Sequence, residues 1–147
     1  MGRKRLVTNR RLVAIVDDEE DINVLFSDAL KRIEGITIVP FNDPRIALEH
    51  FQKNKDDYVL VISDFRMPGL NGTELLRKMK ETNKHVRTIL MTAFEMEDAV
   101  LSEYTKREII NSFFQKPVRL TELIEEVHAQ IHSYEIQKRI PTQSELY

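Results

Sequence analysis

Asp17, Asp18, Asp64, Thr92 and Lys116 are the residues of this chain whose types and placement could do chemistry together. Each stands where a short apolar run stops. Leu12–Val16 runs into Asp17-Asp18, Tyr58–Ser63 into Asp64, Val86–Met91 into Thr92, and Phe113–Gln115 into Lys116. In open parallel sheets, ligands bind just beyond the carboxyl ends of the strands, near the point where strand order reverses. Strands ending this way would bring groups suited to phosphate or to a hard cation to one rim. Three carboxylates in one crevice repel each other and raise one another's pKa unless a cation sits among them. An all-oxygen, partly hydrated donor set suits Mg²⁺ better than a transition metal. Such a metal neutralises the cluster and holds the oxygens of an incoming phosphoryl group. One carboxylate left free could then act as nucleophile and form an aspartyl phosphate. A lysine ammonium from another strand would balance the phosphoryl charge, and a threonine hydroxyl would hydrogen-bond one of its oxygens. Taken singly, each residue has a plainer reading as a helix cap or a turn residue. All of them would have to be coincidental at once, in chain order, for that reading to hold.

The elements that must position these residues alternate along the chain. Ile22, Leu25, Phe26, Ala29, Leu30 and Ile33 recur at helical spacing after the first strand, and Gly35 follows where a helix can stop in the left-handed conformation. Ile36–Pro40 reads as a second strand. Asp43-Pro44 is a helix start, with a capping carboxylate and then proline at the first helical position, and Ile46, Ala47, Leu48 and Phe51 supply an inner face. Phe65–Gly72, holding Pro68, Gly69, Asn71 and Gly72, is a loop before a short helix over Thr73–Lys80. Glu95–Lys106 reads as a helix with a weaker stripe of Met96, Ala99, Val100 and Tyr104. A last helix starts near Leu120 with Leu123, Ile124, Val127 and Ile131 inward, and periodicity is lost beyond Tyr134. Strands and helices alternating in this way argue a parallel sheet covered by helices on both faces. Three segments are expected: a basic tail over 1–10, one domain over 11–134 and a C-terminal tail over 135–147.

Bulk properties narrow the class. A chain of 147 residues, 41% hydrophobic and 31% charged, fits one globular domain rather than a disordered chain. The absence of cysteine excludes disulfides and thiolate chemistry. No apolar run is long enough to span a bilayer, and the basic start lacks an apolar export segment, so a cytoplasmic protein without membrane contact is expected. Arg3, Lys4, Arg5, Arg10 and Arg11 carry five of the 22 basic residues; the rest of the chain has 17 against 24 acidic. That tail has no aromatic residue for base stacking, so nucleic acid is not an expected partner. His128 and His132 are spaced to share a helix face but have no third ligand in sight, and His50 and His85 lack the setting of a phosphorelay histidine.

At Val16-Asp17-Asp18-Glu19, Asp64-Phe65-Arg66-Met67-Pro68-Gly69-Leu70-Asn71-Gly72, Met91-Thr92-Ala93 and Lys116-Pro117 the chain resembles the receiver domains of two-component response regulators. The resemblance runs from about Leu12 to His132. It implies a flavodoxin-like (βα)5 fold, a doubly wound parallel five-stranded sheet with helices on both faces. It also implies that Asp64 accepts a phosphoryl group from a histidine kinase or phosphotransfer protein. Mg²⁺ would be held by Asp17, Asp18, Asp64 and the backbone carbonyl of Arg66. Thr92 and Lys116 would engage the phosphoryl oxygens, and Lys116-Pro117 would be cis. Phe113 would be the aromatic switch, rotating as Thr92 moves and changing the surface offered to a downstream protein target or to a second copy of the chain. Core packing is its plainer role, shared with Phe114. The resemblance implies no enzyme beyond catalysis of its own phosphorylation and slow dephosphorylation.

Two features depart from the family pattern. Thr105–Ser112 replaces a small Gly/Ala turn, which lengthens the Thr92-to-Lys116 separation, and Arg66 and Phe94 place bulk beside the acceptor. With 31 residues after Lys116, a stand-alone receiver acting as a phosphorylation-controlled interaction switch is expected. Two other readings compete. An Mg²⁺-dependent aspartyl-phosphate phosphatase would need its nucleophile after the first strand and an acid two residues on, where Glu19 stands. A phosphorylation-independent adaptor would leave the Asp/Thr/Lys set without use.

Overall fold

Leu12–Val16 (β1) and Tyr58–Asp64 (β3) are buried along their whole length, which is why both read as unbroken apolar runs rather than as alternating ones. They are the central strands in a computed structural model that describes residues 10–93 and 98–139. The other elements are α1 (Glu20–Leu30), β2 (Thr37–Phe41), α2 (Pro44–Lys53), α3 (Gly72–Thr82), β4 (Arg87–Thr92), α4 (Asp98–Lys106), β5 (Ser112–Gln115) and α5 (Leu120–Arg139). The sheet order is β2-β1-β3-β4-β5, and every pair is parallel. The chain steps outward from β1 to β2, then returns past β1 to build β3, β4 and β5. Strand order therefore reverses between β1 and β3, and the carboxyl ends of strands at such a point are where open α/β sheets bind ligands.

Side-chain alternation along the strands divides the core in two. Leu12, Ala14, Val16, Val61 and Leu90 face Ala47 and Phe51 of α2 and Leu75, Leu76 and Met79 of α3. Val13, Ile15, Leu60, Ile62, Ile89 and Met91 face Phe26 and Leu30 of α1 and Leu123 and Val127 of α5. The expected (βα)5 doubly wound architecture is what the chain adopts. Pro40 sits in β2, an edge strand, where its missing N–H removes no interior ladder bond. The predicted cap of α2 is present: Asp43 accepts from the backbone N–H of Arg45, and Pro44 begins the helix.

Several local expectations need correction. Leu25 and Ile46, assigned inward, are 47% and 55% exposed, because each lies at the margin of its helix stripe. Gly35 is left-handed (φ +86°), yet α1 has already ended at Leu30, so the glycine turns the loop rather than the helix. Helix α5 continues to Arg139, past the boundary expected at 134. Its far end is held by Tyr134, which packs on the second core, and by an Arg11–Glu135 ion pair. Those partners replace the aliphatic stripe by which periodicity is recognised. Glu95 and Met96 of the predicted fourth helix, Phe94, the tail through residue 9 and residues 140–147 lie outside the described residues.

Thr105–Ser112, expected to depart from the family pattern, folds into a packed connection. Helix α4 ends at Lys106, Glu108 takes a left-handed φ of 60°, and the N–H groups of Ile109 and Ile110 both turn back to the Tyr104 carbonyl. Ile109 and Ile110 are then buried in the first core. Asn111 closes the segment: its Oδ1 accepts from the Thr88 backbone N–H at 2.9 Å and from Lys80 Nζ at 2.9 Å. The connection is thus packed and pinned, and it contributes Ile109 and Ile110 to the first core.

Candidate functional site

Asp17 follows β1 directly, and its backbone N–H donates to the Phe41 carbonyl, which carries the β1–β2 ladder one residue further. Its side chain is fully buried. Oδ1 accepts from the Glu19 N–H at 2.9 Å, and Oδ2 accepts from Lys116 Nζ at 3.0 Å. Asp64, the last residue of β3, brings Oδ1 to 3.1 Å from the same ammonium. Asp18 is exposed, yet it offers a carboxylate oxygen to the cluster. One oxygen each from Asp17, Asp18 and Asp64 lie within 4.8 Å of one another.

Lys116 and Thr92 arrive on adjacent strands. Thr92 ends β4, pairs in register with Gln115 of β5, and is fully buried. The Lys116 backbone N–H donates to the Thr92 carbonyl at 2.8 Å, and the Lys116-Pro117 peptide is cis, as the resemblance implies. The five residues named first therefore stand at one end of the sheet, four of them on a shared network of carboxylates and one ammonium. Phe113 and Phe114 split between the two cores. Phe113 packs on the first beside Leu101 and Tyr104 of α4, and Phe114 packs on the second. Arg66 is exposed, with its guanidinium 5.9 Å from the Phe65 ring centroid. His128 and His132 are both exposed on α5.

Electrostatics at the cluster are unbalanced. Burial pushes the Asp17 carboxyl above its ordinary range, against the lowering effect of the Glu19 N–H and Lys116. Burial, then the charge of Asp17, does the same to Asp64. Burial also weakens the charge on Lys116, but its hydrogen bonds to Asp17 and Asp64 win, and its pKa is raised. Lys116 Nζ lies 3.0 Å from Asp17, 3.1 Å from Asp64 and 3.7 Å from Glu19, and Asp18 adds a further carboxylate to the cluster. A donor set of oxygens alone, short of positive charge and partly open to water through Asp18, fits a hard divalent cation such as Mg²⁺.

Asn23 shapes the site yet escaped sequence reasoning, and Gly72, read there only as a loop and motif residue, proves to abut Asp64 at the end of β3. Asn23, buried on α1, donates its Nδ2–H to the Asp17 carbonyl at 2.8 Å and to the Phe41 carbonyl at 3.0 Å, tying two strand ends to one helix. A polar residue one position from the apolar stripe was its only signal. Gly72 begins α3 against the back of Asp64: a Cβ there would lie 2.2 Å from the Asp64 carbonyl oxygen and 2.9 Å from Leu90 Cδ1. The Gly72 N–H also donates to the Phe65 carbonyl at 2.7 Å. Because the first obstacle is backbone, no rotamer relieves it. Gly72→Ala should cost about 1–3 kcal/mol by overpacking, read as a lower urea midpoint with an unchanged slope. An unchanged midpoint would show that the loop gives way freely.

A parallel five-stranded α/β domain with a carboxylate cluster and an invading lysine at its switch point is the architecture of a phosphoryl-handling or cation-binding module. Comparison with known proteins makes this specific: the response regulator receiver domain family matches residues 13–128, and the chain belongs to that family. It is 31% identical over 130 residues to the DNA-binding transcriptional regulator NtrC of Escherichia coli K12, covering 88% of this chain but 27% of that protein. It is 30% identical over 111 residues to sporulation initiation phosphotransferase F of Bacillus subtilis, covering 76% of this chain and 86% of that protein. Among solved structures it resembles a response regulator receiver domain protein from Clostridium thermocellum, with a TM-score of 0.75 and 24% identity over 86% of this chain and 98% of that one. The chain thus spans about a quarter of the length of the NtrC relatives. It is a receiver domain of two-component signalling, and neither the phosphatase nor the phosphorylation-independent adaptor is favoured. Among the described residues, no helix is long and apolar enough to cross a membrane.

Proposed function

We propose that this domain is a cytoplasmic phosphorylation switch in which Asp64 accepts the phosphoryl group. The observation that carries the proposal is the convergence of Asp17, Asp18 and Asp64 oxygens within 4.8 Å, with Lys116 Nζ at 3.0 Å from Asp17 and 3.1 Å from Asp64. Asp64 is the proposed nucleophile, since it stands at the end of the central strand β3 and its side chain keeps 10% exposure where that of Asp17 has none, so a phosphoryl donor can reach it. An Asp64 oxygen attacks the phosphorus of a phosphohistidine on a histidine kinase or phosphotransfer protein. The P–O bond forms as the P–N bond breaks, and the bonding pair stays on the imidazole nitrogen.

Asp17, Asp18, Asp64 and the Arg66 carbonyl are the groups proposed to hold Mg²⁺. When bound, the ion would neutralise the carboxylates and stabilise charge on the phosphoryl oxygens. Lys116 would exchange part of its bond to Asp64 for a phosphoryl oxygen, and the Thr92 hydroxyl would bond another. Phe113 shares its core with Leu101 and Tyr104 of α4, so any movement of Thr92 that opens space beside it would be felt on the α4–β5 face. That face is the proposed contact for a downstream protein. Similarity to a sporulation phosphotransferase supports passage of the phosphoryl group to a further protein as an alternative output.

The test is intact-mass spectrometry after incubation with acetyl phosphate. One phosphoryl group should be gained in Mg²⁺ and none in excess EDTA. No gain in either condition, with a kinase-borne donor failing as well, would overturn the proposal.

A further inference from the structure

We infer that a groove at the N-terminal ends of β4 and β5, at the opposite end of the sheet from the carboxylate cluster, binds a small phosphate-bearing anion. The groove encloses about 620 Å³ between α3, the start of β4, the α4–β5 connection and the far end of α5. That volume is within the range of small-molecule sites. Five cations line it: Arg77, Lys80, Lys84, Arg87 and Arg107.

Their charge is poorly cancelled. Arg77 is taken up by Glu74 at 2.9 Å and Glu81 at 2.6 Å, which also uses the first of the two acids in the lining. Among the described residues, none of the other four has a carboxylate partner within salt-bridge distance. Lys80 Nζ donates to the neutral Asn111 Oδ1, and Arg87 Nε donates to the neutral Gln130 Oε1. Glu108 is the one remaining acid in the lining. The excess is local, since the whole chain carries 22 basic against 24 acidic residues.

Burial compounds the effect. It holds Arg87 below its ordinary range, and burial with the Arg87 charge brings Lys80 down to about 8. Both cations are partly buried, and Glu108 acts on both and Glu126 on Arg87 only from beyond salt-bridge distance, so an anion between them would supply the close counter-charge they lack. Guanidinium forks from Arg87 and Arg107, with ammonium groups from Lys80 and Lys84, suit phosphate oxygens. Buried Ile109 lies in the lining.

Arg107, Glu108 and Ile109 come from the α4–β5 connection, and Gln137 closes the groove from the part of α5 beyond residue 128, where the family match ends. The left-handed Glu108 turns this connection back, which sets Arg107 at the rim.

The experiment titrates pyrophosphate into the full chain at physiological ionic strength in EDTA, followed by calorimetry and amide NMR shifts. Saturable binding is expected, with shifts confined to residues 77–87, 107–111 and the end of α5 around Gln137. The double variant Lys84→Gln/Arg107→Gln, at two exposed positions, should keep the amide spectrum of the fold and weaken binding by about tenfold or more. Lys80→Met provides an independent check from inside the groove. No saturable binding, binding indifferent to these variants, or shifts centred on Asp17 and Asp64 would each overturn the inference. Binding of polyglutamate but not pyrophosphate would also overturn it, marking the groove as a protein contact.

Discussion

Asp17→Asn should raise the melting temperature of the metal-free protein and remove most of its thermal response to Mg²⁺. Asp17 is fully buried, and burial holds its pKa, like that of Asp64, above the ordinary carboxylate value. As pH rises through the carboxylate range, the unfolded chain gives up these protons before the folded one does. The folded state then binds more protons, so stability falls as pH rises through that range. Asparagine keeps an oxygen for the Glu19 N–H and discards the charge, while its amide NH2, a donor, replaces the oxygen that faced Lys116 and turns that ammonium toward Asp64. Lys116 is not orphaned, because Asp64 remains 3.1 Å away. A gain of about 0.5–2 kcal/mol is expected from relieving excess charge at a functional site, or roughly 2–8 °C at this chain length. Wild-type protein should gain stability with Mg²⁺ by mass action, and the variant should gain little. Thermal denaturation in EDTA and in Mg²⁺ gives both readings. A lower melting temperature in EDTA, or an undiminished Mg²⁺ shift, would contradict the electrostatic account.

Lys116→Met has the opposite sign and a larger size. It removes the one ammonium seated between Asp17 and Asp64, whose side chains are 0% and 10% exposed. Methionine fills the space but leaves both carboxylates without their partner. Breaking a buried charge pair from one side costs about 3–5 kcal/mol, so the metal-free variant should melt well below wild type. Mg²⁺ should recover part of the loss, since a divalent cation supplies the missing positive charge. Urea midpoints with and without Mg²⁺ measure this. Equal destabilisation in both conditions would mean that Lys116 acts by packing alone. Comparing Lys116→Met with Asp17→Asn separates the two roles of charge at this site, because removing an acid relieves the cluster while removing the base exposes it.

Much of this was legible from residue order. The apolar runs that became β1 and β3 have no polar alternation because both faces are covered, and that pattern located Asp17 and Asp64 at strand ends. The sequence also placed the Asp43-Pro44 start of α2, where cap chemistry is local. What escaped it depends on contacts far apart in the chain. Asn23 matters because it reaches carbonyls on two strands, and nothing near it in sequence records that. Gly72 matters through the Asp64 carbonyl, which only the closed β3–α3 loop brings close. Leu25 and Ile46 were misassigned because helical periodicity fixes a stripe's direction better than its width. The last turns of α5 were missed because Tyr134 and an ion pair from Glu135 to Arg11 hold them instead of an aliphatic stripe. At Thr105–Ser112 the sequence showed that something differed. It could not show Ile109 and Ile110 turning inward, or the cationic groove their connection helps to wall.

The central claim is that Asp64, among three converging carboxylates, is the one that takes the phosphoryl group. Borohydride reduces an acyl phosphate to an alcohol, so reduction after acetyl phosphate treatment, followed by peptide mass mapping, marks the phosphorylated residue. The mark should fall on Asp64, should require Mg²⁺, and should vanish in Asp64→Asn. A mark on Asp17 or Asp18 in the wild-type protein, or phosphoryl incorporation that persists in Asp64→Asn, would contradict it.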